Sequence, residues 1–265
     1  MNKKTLTEHA FLMQIWRPLM ELQFYYAFQV VQKGEGDLEN VLRNLTMTWF
    51  WVPWAQEEGQ AQLPMQQRNL YGRLLREFAD CFAAQRAVGD PFRFSVKACE
   101  ILQPWVEAGD REYRRIPNDD VDWFGCFGWN RASAQATQAG LHFYNACCPR
   151  SPFDEMKELS DDLRQCLCSI KEEAPEVTQV SCGSWINNLK PFLALFPESY
   201  AKSLVESNPN SKAGMGWWGQ FITKEGTLNE KRATELRQTG RFYYPRKTGT
   251  CSLDDALTHI KDGRI

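Results

Sequence analysis

The chain has 265 residues, enough for one large domain or two small ones with a real core, and its 43% hydrophobic and 24% charged content is that of an ordinary globular protein. Its 31 basic residues against 33 acidic ones leave a net charge of −2, which removes the electrostatic ground for nucleic acid as a partner. The N-terminal segment is interrupted by His9, Gln14, Arg17 and Glu21, so neither a signal peptide nor a membrane span is expected there, and a cytoplasmic location is.

Taken in order, residues Leu6 to Gln32 read as a helix with Thr7 as N-cap, which Pro18 should break or kink near Arg17. Its stripe Leu19, Leu22, Tyr26, Val30 repeats at helical spacing and reads as core. A second helix is expected over Asp37 to Trp51, opened by Asp37 or Gly36. It runs into Trp49-Phe50-Trp51-Val52-Pro53-Trp54, too many large rings for one helical stripe. This cluster is expected to wedge between the helices and either the C-terminal part of the chain or another subunit, and so to be the surface for a protein partner or for homo-oligomer formation. Gln66 to Arg86 forms the clearest helix of the first half, and Phe94 to Val106 a shorter one interrupted near Pro104. The charged stretch Glu107 to Val121, with Gly109 and Pro117, is the best internal boundary. The expected plan is a helical N-terminal domain, 1–115, and an α/β domain, 116–265.

Beyond Val121 the period changes. Asp122 to Arg131 reads as one strand with Trp123, Gly125, Phe127 and Trp129 on one face. Leu141 to Ala146 reads as a strand with His142 and Tyr144 on one face and Leu141, Phe143 and Asn145 on the other. Ser151-Pro152-Phe153-Asp154 opens a helix to Glu173, Pro175 stops it, and Val177 to Ser184 is the next strand. Strand, helix and strand make a βαβ crossover. Pro191 to Tyr200 is a short helix or turn, and Met215 to Ile222, between glycines, reads as a strand. Asn229 caps a helix that Gly240 closes, and Ser252 with Asp255 caps the last one. The fold class is mixed α/β (α+β), with the helical part packed on the sheet-containing part.

Polar residues of the second half gather where strands end, so a shared small-molecule pocket is one reading, and satisfied backbone ends and caps are the other. Ser184, Trp185 and Asn188 of the Ser-Trp-Ile-Asn-Asn turn, Trp218 and Gln220, and Arg241 and Tyr244 are expected to converge on one cleft, with Asn145 as a further binding residue. His142 can serve as a general base towards an amine or hydroxyl, or be a packed, hydrogen-bonded side chain. Cys182 paired with His142 would be a nucleophile, but nothing beside it in sequence marks a depressed thiol pKa. With three histidines and nine cysteines at spacings that complete no ligand set, neither a structural metal nor a disulfide is expected.

The run Leu141-His142, Ser151-Pro152, long helix, strand, Ser184-Trp185 and Phe196-Pro197 resembles the GNAT-like C-terminal domain of bacterial acyltransferase-like proteins that carry a helical N-terminal domain. The resemblance covers about a quarter of the chain directly. It implies an acyl-CoA-dependent N-acyltransferase, with acyl-CoA phosphates meeting backbone amides at a loop and helix start. The chain departs from that pattern in lacking a basic, glycine-spaced loop after the central strand; Gly214-Met-Gly-Trp-Trp-Gly219 has the glycines without the arginines. A protein on this scaffold that binds a ligand or a partner without catalysis is the alternative.

Overall fold

The computed structural model describes residues 3–51, 70–115, 121–130 and 137–261. It is a mixed α/β protein in which a helical unit stands beside a six-stranded sheet. The first half consists of α1 (Lys3–Gln32), α2 (Leu38–Leu45), α3 (Thr48–Trp51), α4 (Leu70–Val88) and α5 (Pro91–Arg115). Residues 66–69, where the fourth of these was expected to begin, lie outside the described residues.

Several expectations for this half are corrected. The helix α1 runs unbroken through Pro18, and α5 through Pro104, with Thr7 inside α1 and not capping it. A proline removes one backbone bond, but the buried stripe Leu19, Leu22, Tyr26 and Val30 packs in the core and keeps the helix continuous. The helix expected over Asp37 to Trp51 is two, because the Thr46 hydroxyl donates to Leu42 O (2.7 Å) and takes over the backbone's role at that turn. Trp51 is buried and packs on Trp16 with centroids 6.4 Å apart, so it belongs to the core; Val52, Pro53 and Trp54 lie outside the described residues. The caps read as expected at Asp37, which accepts from Asn40 N (2.9 Å). Asp90 does the same for Arg93 N (2.9 Å), ahead of Pro91 at the start of α5.

The second half contains β1 (Asp122–Phe124), β2 (Phe127–Trp129), β3 (Gln138–Phe143), α6 (Met156–Glu173), β4 (Gln179–Ser184), α7 (Lys190–Leu193), α8 (Glu198–Lys202), β5 (Val205–Glu206), α9 (Met215–Trp218), α10 (Glu230–Thr239), β6 (Lys247–Ser252) and α11 (Leu253–Lys261). Sheet order is β1-β2-β3-β4-β6-β5, antiparallel throughout except for the parallel pair β3 and β4 joined by α6. The βαβ crossover therefore stands. The single strand expected over Asp122 to Arg131 is instead a hairpin turning at Gly125-Cys126. Gly125 has φ +62°, and an added Cβ would lie 1.7 Å from the Asp162 carboxylate that accepts from Cys126 N.

Helix α6 starts at Met156 and not at Pro152. The Ser151 hydroxyl accepts from Phe153 N (3.2 Å) while Ser151 N donates to Asp154 (3.2 Å), which closes a separate turn ahead of the helix. The strand expected over Met215 to Ile222 is the short helix α9 followed by a 3₁₀ turn, Gly219–Phe221. A strand would send Trp217 and Trp218 to opposite faces, whereas both are buried with Phe221 in the core of the helical unit. That core also takes Ala233 and Leu236 from α10, so the segment from Trp217 to Leu236 packs with the first half. A second core lies between the sheet and α6 with α11. Asn229 caps α10 by accepting from Arg232 N (3.2 Å), Gly240 closes it at φ +68°, and Ser252 accepts from Asp255 N (3.3 Å) at the start of α11. Among the described residues no helix is long and apolar enough to cross a membrane.

Candidate functional site

The parallel strands β3 and β4 pair only from Gln138–Gly140 against Gln179–Ser181. Beyond that point β3 follows β2 and β4 follows β6, so the two strands part and leave a wedge-shaped gap. A cavity of about 530 Å³ fills the gap, bounded by Leu141–Asn145 on one side and Cys182–Ile186 on the other. Its far wall comes from Gly214–Gly216, Gly219 and Ile222–Lys224, and Trp123 and Phe153 close its ends. Volume and mixed aromatic lining are those of a small-molecule site.

The edge of β3 facing this gap carries backbone groups. Tyr144 N donates to Cys126 O (3.1 Å), towards β2, so the two-residue period turns the amide and carbonyl of Phe143 the other way, into the gap. On the β4 side, Gly183 O accepts from Arg246 Nε (3.1 Å), and Arg246 Nη1 reaches Ser207 Oγ (3.2 Å). This strap needs three close approaches. A Cβ on Gly183 would lie 2.3 Å from Arg246 Nη2, and one on Gly216 would lie 2.7 Å from Gly183 O and 2.9 Å from Arg246 Nε.

His142 lies on the cavity wall, on the sheet face opposite Ala139 and Leu141, with its ring 6.3 Å from that of Trp123. The ring is water-accessible, yet surrounded by the walls of a concave site, and this desolvation lowers its pKa below the usual 6.5. The lowered pKa favours the neutral imidazole, the form able to accept a proton. Ser184 accepts from Ile186 N (3.4 Å) as the cap of the following 3₁₀ turn, so its O–H remains a donor towards the cavity. Trp185 lines the cavity and stacks on Tyr244 at 5.9 Å, with the Arg232 guanidinium 5.6 Å from its ring.

Asn145 also lines the cavity, but both its amide hydrogens are used. It donates to Arg150 O (2.9 Å) and Lys224 O (3.1 Å), tying the loop after β3 to the turn that carries Lys224. Cys182 lines the cavity as a buried thiol pushed up to about 12 by desolvation, so it is not a thiolate at neutral pH.

Four of the residues predicted from sequence, His142, Asn145, Ser184 and Trp185, thus meet at one cavity, and five do not line it. Asn188 spans Trp185 O (2.7 Å) and Pro245 O (2.8 Å). Gln220 is fully buried, donating to Trp217 O and Tyr244 O while accepting from Tyr244 N (2.8 Å). Trp218 is fully buried with its indole N–H on Leu45 O (3.2 Å). Arg241 is exposed elsewhere, and Tyr244 backs Trp185 from behind and does not face the cavity. The common cause is that a polar side chain beside a strand end is as useful for satisfying buried backbone as for binding a ligand.

Sequence reasoning missed Trp123, Phe153, Met215 and Lys224 as wall residues. The signal for Lys224 was the Thr-Lys-Glu-Gly-Thr turn, in which Thr223 and Thr227 pair through backbone (2.8 Å) and hydroxyls (2.9 Å) around Gly226 at φ +75°. Among the described residues no group of three His, Cys, Asp or Glu side chains could hold a metal ion. No family model, curated protein or solved structure matches the chain.

Proposed function

We propose that the protein transfers an acyl group from an acyl thioester to an amine, within the cavity between β3 and β4. The observation that carries this reading is the parting of two parallel strands around a cavity with the Phe143 peptide groups turned into it. An extended amide-containing arm, such as the pantetheine portion of acyl-CoA, can lie along that edge and hydrogen-bond to it as an added strand does. The reading agrees with the resemblance to GNAT-like domains.

In the transfer, the amine nitrogen attacks the thioester carbonyl; a C–N bond forms, the C–S bond breaks, and the thiolate leaves to be protonated. Neutral His142 accepts the proton that the amine sheds. The residues fit the thioester arm better than the phosphates of acyl-CoA. The start of α6 has no side-chain cap, but Asp154, Glu155 and Glu158 surround it with negative charge, which works against a pyrophosphate there.

The test is calorimetry and thermal shift with a panel of acyl-CoAs and with acetyl-pantetheine. Binding of at least one donor is expected, with acetyl-pantetheine retained within about tenfold of acetyl-CoA. Absence of heat and of any shift with every donor would overturn acyl transfer. The interaction-protein alternative rests on the Trp49–Trp54 region, of which only the Trp51 side chain lies among the described residues, where it is buried.

A further inference from the structure

We propose that the acceptor is a free α-amino acid with a large apolar or aromatic side chain, its carboxylate held by Lys224, its side chain against the aromatic walls and its amine presented to His142. This inference rests on the acyl-transfer reading for the chemistry, and on the cavity lining for the ligand class. Among the described residues the lining contains no carboxylate and one lysine. Lys224 has no ion-pair partner among the described residues, while Asn145 and the Thr223–Thr227 pairing fix its backbone at the rim. Its ammonium, exposed at this rim, favours a ligand bearing a negative charge.

The absence of acid in the lining works equally against polycations. A polyamine, or a primary amine without a carboxylate, would bring an ammonium group that nothing here neutralises, and desolvating it would cost affinity. An α-amino acid supplies its own counter-charge to Lys224, and the same desolvation favours the neutral amine that attacks. The remaining surface, from Trp123, Phe153, Trp185 and Met215, suits a ring or a long apolar side chain.

The test uses the intact protein and two readouts. Calorimetry would compare L-phenylalanine, phenethylamine, 3-phenylpropionate and spermidine; mass spectrometry would follow acetyl transfer from acetyl-CoA to each amine. Phenylalanine should bind about tenfold tighter than phenethylamine, the size of a charge-assisted hydrogen bond. In Lys224→Met that ratio should fall to about 1 with phenethylamine binding unchanged, and Lys224→Arg should restore most of it. Phenethylamine or spermidine binding as tightly as phenylalanine, an unchanged ratio in Lys224→Met, or no binding of phenylalanine would each overturn the proposal. Transfer to amines lacking a carboxylate, but not to phenylalanine, would overturn it and leave acyl transfer standing. Selective binding of phenylalanine without transfer from any donor would sink acyl transfer and leave the ligand class standing.

Discussion

Replacing Asn187 should unfold the protein more readily than replacing any other polar residue beside the cavity. Its side chain is 1% exposed. The amide donates to Cys182 O and Lys247 O, both at 2.8 Å, and its carbonyl accepts from Tyr200 Oη at 2.9 Å. Tyr200 is fully buried, and its only other acceptor among the described residues is Cys182 O at 3.5 Å. In Asn187→Ala, Lys247 O loses this donor, Tyr200 is left with a long bond and a small void opens, for a loss of about 3–4 kcal/mol. Tyr200→Phe strands only the Asn187 carbonyl and should cost about 1–2 kcal/mol. The double variant should fall short of the sum by about 1 kcal/mol, since the two share a bond. Asn187→Asp should be the worst of the series, because a buried carboxylate would face two carbonyl oxygens. Urea unfolding of the four variants gives these values directly. A loss below about 1 kcal/mol in Asn187→Ala, or an Asp variant no worse than the Ala variant, would refute the account of this network.

If His142 is the base, the rate of acyl transfer should rise with pH through a pKa below 6.5 and be level by pH 7, because the neutral ring is the active form. His142→Gln should lower turnover by about 100-fold and remove that limb, and an unchanged profile in the variant would exclude the role. Gly216→Ala should distort or destabilise the site, since its Cβ would press on Gly183 O, a backbone atom, at 2.7 Å; melting temperature and donor affinity should both fall, and a variant indistinguishable from the parent would contradict the close approach.

The parts of the fold that could be read in sequence are those fixed by local chemistry. Asp37, Asn229, Gly240 and Ser252 stop or start helices through bonds spanning a few residues. The parallel pairing of β3 and β4 follows from the long helix between them. The hairpin at Gly125 was not legible, because the acid that fills the space beside that glycine, Asp162, comes from α6. Nor was α9, since Met215 to Ile222 is a short apolar run that suits strand and helix equally, and only burial of both tryptophans against Tyr26 and Phe242 decides it. At the site, His142 and Ser184 were legible because both sit where parallel strands end. Gln220 and Asn188 have the same composition and neighbourhood, yet they serve the backbone of residues 244 and 245.

The position of the far wall links the two halves of the molecule. Met215, Gly216 and Gly219 face the cavity, while Trp217, Trp218 and Phe221 of the same few residues are buried among the helices. Trp218 is held there by Leu45 O and by the rings of Tyr26 and Phe242, at 5.8 and 4.8 Å. The sheet supplies one side of the cavity and the helical core fixes the height of the other. Between them lie contacts with no slack, Gly216 on Gly183 O and Gly219 beside Trp185 Nε1, where an added Cβ would come within 2.9 Å. At Gly216 the missing Cβ lets two backbones meet, and at Gly219 it lets the Trp185 indole close on the main chain, so the width of the cavity is set at two points where no side chain fits between. A shift of α1 relative to the sheet would therefore be transmitted through Trp218 to the far wall, which gives the helical half a part in setting the shape of the cavity.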